Sequence, residues 1–167
     1  MTGGSMKLLV YSDSHRDLQL MLETAKTEEN PDYVIHLGDH VGDAQKLGKA
    51  LDKEVIAIKG NMDGGAGKDE HLLKVKGYNL LLTHGHTYGI KGSLDRLYYR
   101  AKELECDAVL FGHTHVPMNQ EIGGILFFNP GSIGDKRFQK HFSFGKIEVK
   151  EGRLEAAIVY LKESEKK

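Results

Sequence analysis

The chain has one cysteine in 167 residues, Cys106, so no intramolecular disulfide can form. That fits a reducing compartment, and a cytoplasmic location is expected. Cys106 ends a predicted helix and reads as a small packed residue before it reads as a nucleophile. Net charge is nearly absent too: 23 basic against 24 acidic side chains leave −1. Bulk electrostatics therefore favour neither nucleic acid nor a membrane surface, and neither is expected as a main partner. No apolar run approaches the ~18 residues that a membrane span needs. Internal repeats and linkers are also missing. What remains is a single domain, long enough to bury roughly two-thirds of its unfolded surface. Residues 1–5 precede a second methionine, Met6, without a basic-then-apolar signal pattern. They are expected to be an expression remnant outside a domain that spans 6–161, with 162–167 as a frayed charged tail.

What the chain does have is nine histidines, several of them beside glycines at the ends of apolar segments. Residues 8–11 (Leu-Leu-Val-Tyr) read as a strand buried on both faces and lead into Asp13-Ser14-His15. Leu18, Met21, Leu22 and Ala25 follow helical spacing and predict an amphipathic helix over about 17–28, stopped at Asn30-Pro31. A second strand over 33–37 ends at Gly38-Asp39, a short helix follows over 43–51, and a third strand over 55–58 ends at Gly60-Asn61. Strand–helix–strand–helix–strand is the pattern of right-handed crossovers on a parallel sheet. After the glycine-rich loop 64–67, strands are expected at 72–75 and 78–83, the second ending at His84-Gly85-His86. Ser93 is placed to cap a helix that carries Leu94, Leu97, Tyr98 and Ala101. A strand over 108–111 then runs into Gly112-His113-Thr114-His115. Beyond Pro117 the pattern turns to hairpins, 118–122 with 125–128 around Gly123-Gly124, and 144–149 with 154–161 around Glu151-Gly152. The fold class expected is α/β, parallel early and antiparallel late. Edge strands of the late hairpins are available to pair between subunits, so a homo-oligomer is compatible with the pattern.

In open α/β sheets the ligand crevice lies at the carboxyl ends of the strands. Five such ends carry metal-ligand residue types: Asp13 with His15, Asp39, Asn61, His84, and His113 with His115. Two carboxylates, four imidazoles and one amide exceed the needs of one tetrahedral ion, so two ions sharing a carboxylate is the natural reading. A nitrogen/oxygen set without thiolate favours manganese, iron, zinc or nickel.

Taken in order, Asp13-x-His15, Gly38-Asp39-x-x-x-Asp43, Gly60-Asn61-x-Asp63, His84-Gly85-His86 and Gly112-His113-x-His115 resemble the calcineurin-like metallophosphoesterases. The resemblance is to the small single-domain bacterial and archaeal phosphodiesterases, a group similar to the retromer's vacuolar sorting scaffold subunit, and it runs from about Met6 to Tyr160. It implies two mixed β-sheets packed as a sandwich flanked by helices. It implies one ion held by Asp13, His15, Asp39 and His115, and a second by Asp39, Asn61, His84 and His113. Manganese is the first expectation, with nickel, zinc or iron as alternatives. It also implies hydrolysis of a small phosphodiester by a metal-bound water or hydroxide. Asn61, Asp63 and His86 are the candidates for other catalytic roles. Where the wider superfamily places a histidine after the motif asparagine, this chain has Met62, which cannot give a proton.

Other readings exist for each residue. Asp13 and Asp39 also suit helix N-caps, Asn61 a turn, and Asp43 and Asp63 capping groups or supports for ligands. His86 is balanced between substrate contact and plain exposure, and His40 is expected in solvent. His36 falls in a buried strand as a structural histidine, and His71 and His141 receive no function. For the whole chain the alternative is a non-catalytic metal-binding scaffold of the same fold that docks protein partners.

Overall fold

The computed structural model describes residues 4–15, 18–28, 30–64 and 67–162. The first three residues of the expected remnant and 163–167 of the expected tail lie outside the described residues, as do Gly65 and Ala66 of the glycine loop. The opening third follows the predicted alternation: β1 (Met6–Tyr11), α1 (Leu18–Thr27), β2 (Tyr33–His36), α2 (Val41–Leu51) and β3 (Val55–Ala57). These three strands pair in parallel, β1 with β2 and β2 with β3. The chain then builds β4 (Glu70–Val75), β5 (Tyr78–Thr83), α3 (Asp95–Glu103), β6 (Ala108–Leu110), β7 (Met118–Ile122) and β8 (Ile125–Asn129). It closes with a long hairpin, β9 (Phe142–Lys150) and β10 (Arg153–Leu161).

Two five-stranded sheets result, ordered β10-β9-β1-β2-β3 and β4-β5-β6-β8-β7. Each has three parallel strands with antiparallel strands added, so both sheets are mixed. Period-two alternation explains how they stack. Leu8 and Val10 of β1 face Leu80, Leu82, Leu110 and Phe128 of the second sheet in a shared core. Their neighbours Leu9 and Tyr11 point outward onto Leu20, Met21 and Ala25 of α1 and Leu47 of α2. On the far side Leu81, Val109 and Phe127 meet Leu97 and Ala101 of α3. The order of layers is helix, sheet, sheet, helix. This is the sandwich expected, and it accounts for the central strands reading as unbroken apolar runs.

The strand ends differ from expectation in small ways. β4 starts at Glu70 and β9 at Phe142, each two residues early. α3 begins at Asp95 with Leu94 at its N-cap and no side-chain cap, although Ser93 Oγ still accepts the Asp95 N–H at 3.0 Å. A single 3₁₀ turn, His86–Tyr88, follows β5 and is too short to leave a periodic signal. The β7–β8 connection is as read: Gly123 and Gly124 both adopt positive φ, 56° and 82°, the primed turn that two glycines permit.

Leu110 is fully buried between the sheets and directly precedes the Phe111-Gly112-His113 turn. Leu110→Ala is expected to cost about 3 kcal/mol in urea unfolding, as cavity-forming core substitutions do. A loss below about 1 kcal/mol would show that the sandwich is not packed as described.

Candidate metal centre

Parallel strands of the two sheets deliver their polar ends to one edge. Asp13 follows β1, Asp39 follows β2, and Asn61 follows β3 after Ile58-Lys59-Gly60. From the second sheet His84 follows β5, and His113 and His115 follow β6. The Asp13 N–H donates to the Gly38 carbonyl at 3.0 Å and the Gly112 N–H to the His84 carbonyl at 3.1 Å, which pairs the turns within each sheet. The two sheets are tied by the His113 N–H, which donates to Asp13 Oδ2 at 3.1 Å. Gly112 makes that crossing possible, since a Cβ there would lie 2.0 Å from Ser12 Oγ.

Asp13, His15, Asp39 and His115 each offer a ligand atom, and these atoms lie within 4.8 Å of one another. Asp39 Oδ2 is 4.0 Å from His15 Nε2 on one side and 3.5 Å from His84 Nε2 on the other. His84 Nε2 in turn is 3.0 Å from Asn61 Oδ1, and the His84 and His113 rings pack edge to face with centroids 5.1 Å apart. All seven residues singled out from the sequence are thus linked at one edge.

The orientation of the rings says what this arrangement can do. His84 Nδ1 donates to the Leu37 carbonyl at 2.8 Å, which turns Nε2 toward Asn61 Oδ1 and the two aspartates. His115 is held in the same way by the Asp135 carbonyl, which accepts from Nδ1 and leaves Nε2 facing Asp13 Oδ1 at 3.4 Å. Asp13 Oδ2 accepts from Ser12 Oγ (2.7 Å), while Oδ1 is fully buried and has no hydrogen-bond donor. Carboxylate oxygens, an amide oxygen and imidazole nitrogens that converge in this way are a divalent-cation site in their chemistry. The donor set fits such ions.

Charge shifts follow from the same contacts. Burial works against an ionised Asp13, but the neighbouring His115 and His84 imidazoles and the Ser12 hydroxyl hold its carboxyl well below the usual range. His115 is burdened by burial yet ends above its ordinary value because Asp13 favours the protonated ring. His113 is pulled down to about 4 by burial, by His84 and by Lys91. His15 and His86 are also lowered, chiefly by burial.

Further residues surround the centre, and Asp63 and His36 take the capping and structural roles expected of them. Asp63 accepts four backbone N–H groups, from Asp39, His40, Val41 and Gly60, at 2.8–2.9 Å, and these bonds keep its carboxylate ionised against the cost of burial. It caps the N-terminus of α2 from a different loop, and neither oxygen is left to reach a substrate. Asp39 is not the N-cap of α2; His40 occupies that place, half-buried, with its ring 5.1 Å from that of His15. His36 is the buried structural histidine expected, and its bonds define a relay. The Gly38 N–H donates to Nδ1, Nε2–H donates to Ser14 Oγ (2.9 Å), and Ser14 donates to Asp43 Oδ2 (2.8 Å). Burial pulls His36 down to about 4, which keeps that tautomer neutral. Ser132, in the loop after β8, donates to the Asp13 carbonyl at 2.7 Å and accepts the Asp135 N–H. Asn129 donates to the Gly112 carbonyl at 3.1 Å. His86 Nδ1 is buried without a partner, its ring 5.4 Å from that of His84.

Comparison with known proteins places the chain in one family. Residues 6–152 match the calcineurin-like phosphoesterase superfamily domain. The probable metallophosphoesterase YsnB of Bacillus subtilis is 38% identical over 141 residues, covering 83% of this chain and 82% of its own. Phosphodiesterase YfcE of Escherichia coli K12 is 28% identical over 172 residues, covering 86% and 88%. Among solved structures, a predicted phosphoesterase from Streptococcus pneumoniae TIGR4 superposes with a TM-score of 0.79 at 28% identity, over 94% of this chain and 90% of that one. Zinc-complexed Vps29 from Entamoeba histolytica superposes at 0.74 over 93% and 99%, and at 24% identity it speaks to the fold alone.

Gly60 sets how closely the β3 turn approaches Asp39: a Cβ there would lie 2.3 Å from Asp39 Oδ1 and 2.5 Å from its backbone nitrogen. Gly60→Ala is expected to keep the circular dichroism of the wild type and lose most of the divalent-ion affinity seen by calorimetry. Undiminished affinity would mean that Asp39 does not depend on that approach.

Proposed function

Because the chain belongs to the calcineurin-like phosphoesterase superfamily, we propose that it is a phosphodiesterase working with two divalent ions, manganese first among them. The observation that carries this reading is the position of Asp39, one carboxylate oxygen between imidazoles of two clusters. Asp13, His15, Asp39 and His115 hold one ion; Asp39, Asn61, His84 and His113 hold the other. Divalent ions at such a centre supply Lewis acidity toward phosphoryl oxygens and acidify water. The chain's own groups fix the rest. The Met62 N–H donates to Asp39 Oδ1 at 2.9 Å, which leaves Oδ2 toward the imidazoles. The Leu37 and Asp135 carbonyls prevent His84 and His115 from rotating their lone pairs away. Asp63 holds the loop of Asp39 and so acts by placing a ligand, while Asn61, beside His84, is itself one of the second set. His86 faces the centre with a lowered pKa, which makes it a neutral substrate contact and a poor acid at neutral pH. With Met62 unable to give a proton, the preferred substrates are small diesters with acidic leaving groups, met in the cytoplasm. Fold likeness to Vps29 favours one second reading, a metal-binding scaffold that docks protein partners. A dense set of undonated acceptors is more than docking needs.

Purified protein with manganese is expected to hydrolyse bis(p-nitrophenyl) phosphate and to favour it over dialkyl diesters, with Asp39→Asn losing about 100-fold or more. Absence of turnover with manganese, zinc and nickel alike would sink the enzyme reading. The two ions are also expected to leave at different acidities. A raised pKa means that protons compete for His115 as pH falls through its value, whereas His113 stays neutral down to about 4. The ion of His115 is lost first. Manganese content after dialysis at stepped pH checks this, and loss of both ions in one step contradicts it. Crystals of His113→Ala and His115→Ala should each lack a different ion.

A further inference from the structure

A cleft of about 530 Å³ opens directly beside the centre and has no part in holding ions. Leu18, His40, Lys46 and Met62 line it, with Asp63 among the residues at its wall. Three of these residues also touch the metal-ligand set, Asp63 by accepting the Asp39 N–H, and His40 and Met62 as follows. The His40 ring packs edge-on against that of His15, 5.1 Å between centroids. The Met62 N–H is bonded to Asp39, while its side chain is 62% exposed, among the few large apolar groups left in solvent. Asp63, whose oxygens are all engaged by backbone N–H groups, adds no free acceptor. Among the described residues the walls therefore combine the His40 imidazole, the Met62 thioether and Leu18 with two charged groups, the Lys46 ammonium and the Asp43 carboxylate, whose Oδ2 accepts from Ser14.

We propose that this cleft is the subsite for a planar aromatic substituent of the phosphoester, of the nucleobase or phenyl class. This rests on the phosphodiesterase reading, since it is the phosphoryl group at the ions that brings the substituent across His15 and Asp39 to His40 and Met62. A thioether edge and an imidazole face both attract π-systems, and methionine adapts to rings of different outline. An exposed methionine beside a charged site contributes nothing to folding through burial, so packing against a ligand gives its side chain a use. The residue that cannot protonate a leaving group instead recognises the group attached to phosphorus.

Monoesters carry one substituent each and so report the cleft without ambiguity. Calorimetric titration of the manganese-loaded protein with methyl phosphate, phenyl phosphate and thymidine 5′-monophosphate is expected to give affinities about tenfold tighter for the two aromatic esters. Met62→Ala should bring the aromatic esters to within about threefold of methyl phosphate without changing methyl phosphate itself, and Met62→Leu should restore part of the preference. Tyr99→Ala, an exposed aromatic on α3, should leave all three affinities as they are. A preference for both aromatic esters assigns the cleft to planar rings in general; preference for thymidine alone assigns it to nucleosides, and either supports the subsite. Equal binding of the three esters by wild type, or a preference that survives Met62→Ala, overturns it. Because binding is read directly, a protein that prefers aromatic esters yet cleaves no diester would refute the enzyme reading and leave the subsite standing.

Discussion

The structure depends on one electrostatic problem: two carboxylates and several imidazole lone pairs are brought together out of water at the edge of two sheets. Asp13 is wholly buried and Asp39 nearly so. Ionised groups in such surroundings cost several kcal/mol each unless opposite charge or donors meet them. Donors meet half of each carboxylate, Ser12 Oγ and the His113 N–H on Asp13, the Met62 N–H on Asp39. The other oxygens face one another and the imidazoles. Divalent cations held there would resolve this, and they would also concentrate positive charge in a molecule whose overall charge is near zero.

The backbone bears a cost for the same convergence. Asp13, His15, Asp39, His113 and His115 all sit at positive φ, between 46° and 71°. Left-handed residues other than glycine cost about 1 kcal/mol or more, and they persist where surrounding bonds over-determine them. Those bonds are visible here. Ser132 holds the Asp13 carbonyl, Asp63 holds the amides of Asp39, His40 and Val41, and the His36–Ser14–Asp43 relay lies under the His15 turn. Residues i and i+2 of an extended segment share a face, so a one-residue spacer, Ser14 or Thr114, suits a pair of side chains meant for one place, and both members of each pair are left-handed here.

This also explains what was legible in the sequence. The strands were, because residues such as Leu8 to Tyr11 are packed on both faces and must be apolar throughout. The candidate ligand residues were, because polar side chains directly after such strands have few structural uses, and five strand ends that carry them in order weigh more than any one. The partners of the supports were not. Asp63 is remote in sequence from His40, and His36 lies on β2 while Ser14 lies in the turn after β1, so nothing in local pattern pairs them. A capping aspartate is normally sought just before its own helix; the one for α2 comes from beyond β3. The 3₁₀ turn at His86 and the long starts of β4 and β9 depend on register with neighbours that the single strand does not reveal.

Met62 shows how far the reading changes once those supports are known. From sequence it is a deficit, a methionine where a proton donor is expected. In the fold its backbone secures Asp39 while its side chain is exposed and lines a cleft. The two functions are separable because one belongs to the peptide and the other to the thioether. Any residue but proline can supply the N–H, so the centre places little demand on the side chain at this position. What occupies the position is then free to answer to the ligand beyond the ions, and an unbranched, polarisable, uncharged chain suits a flat apolar group better than a second acid would.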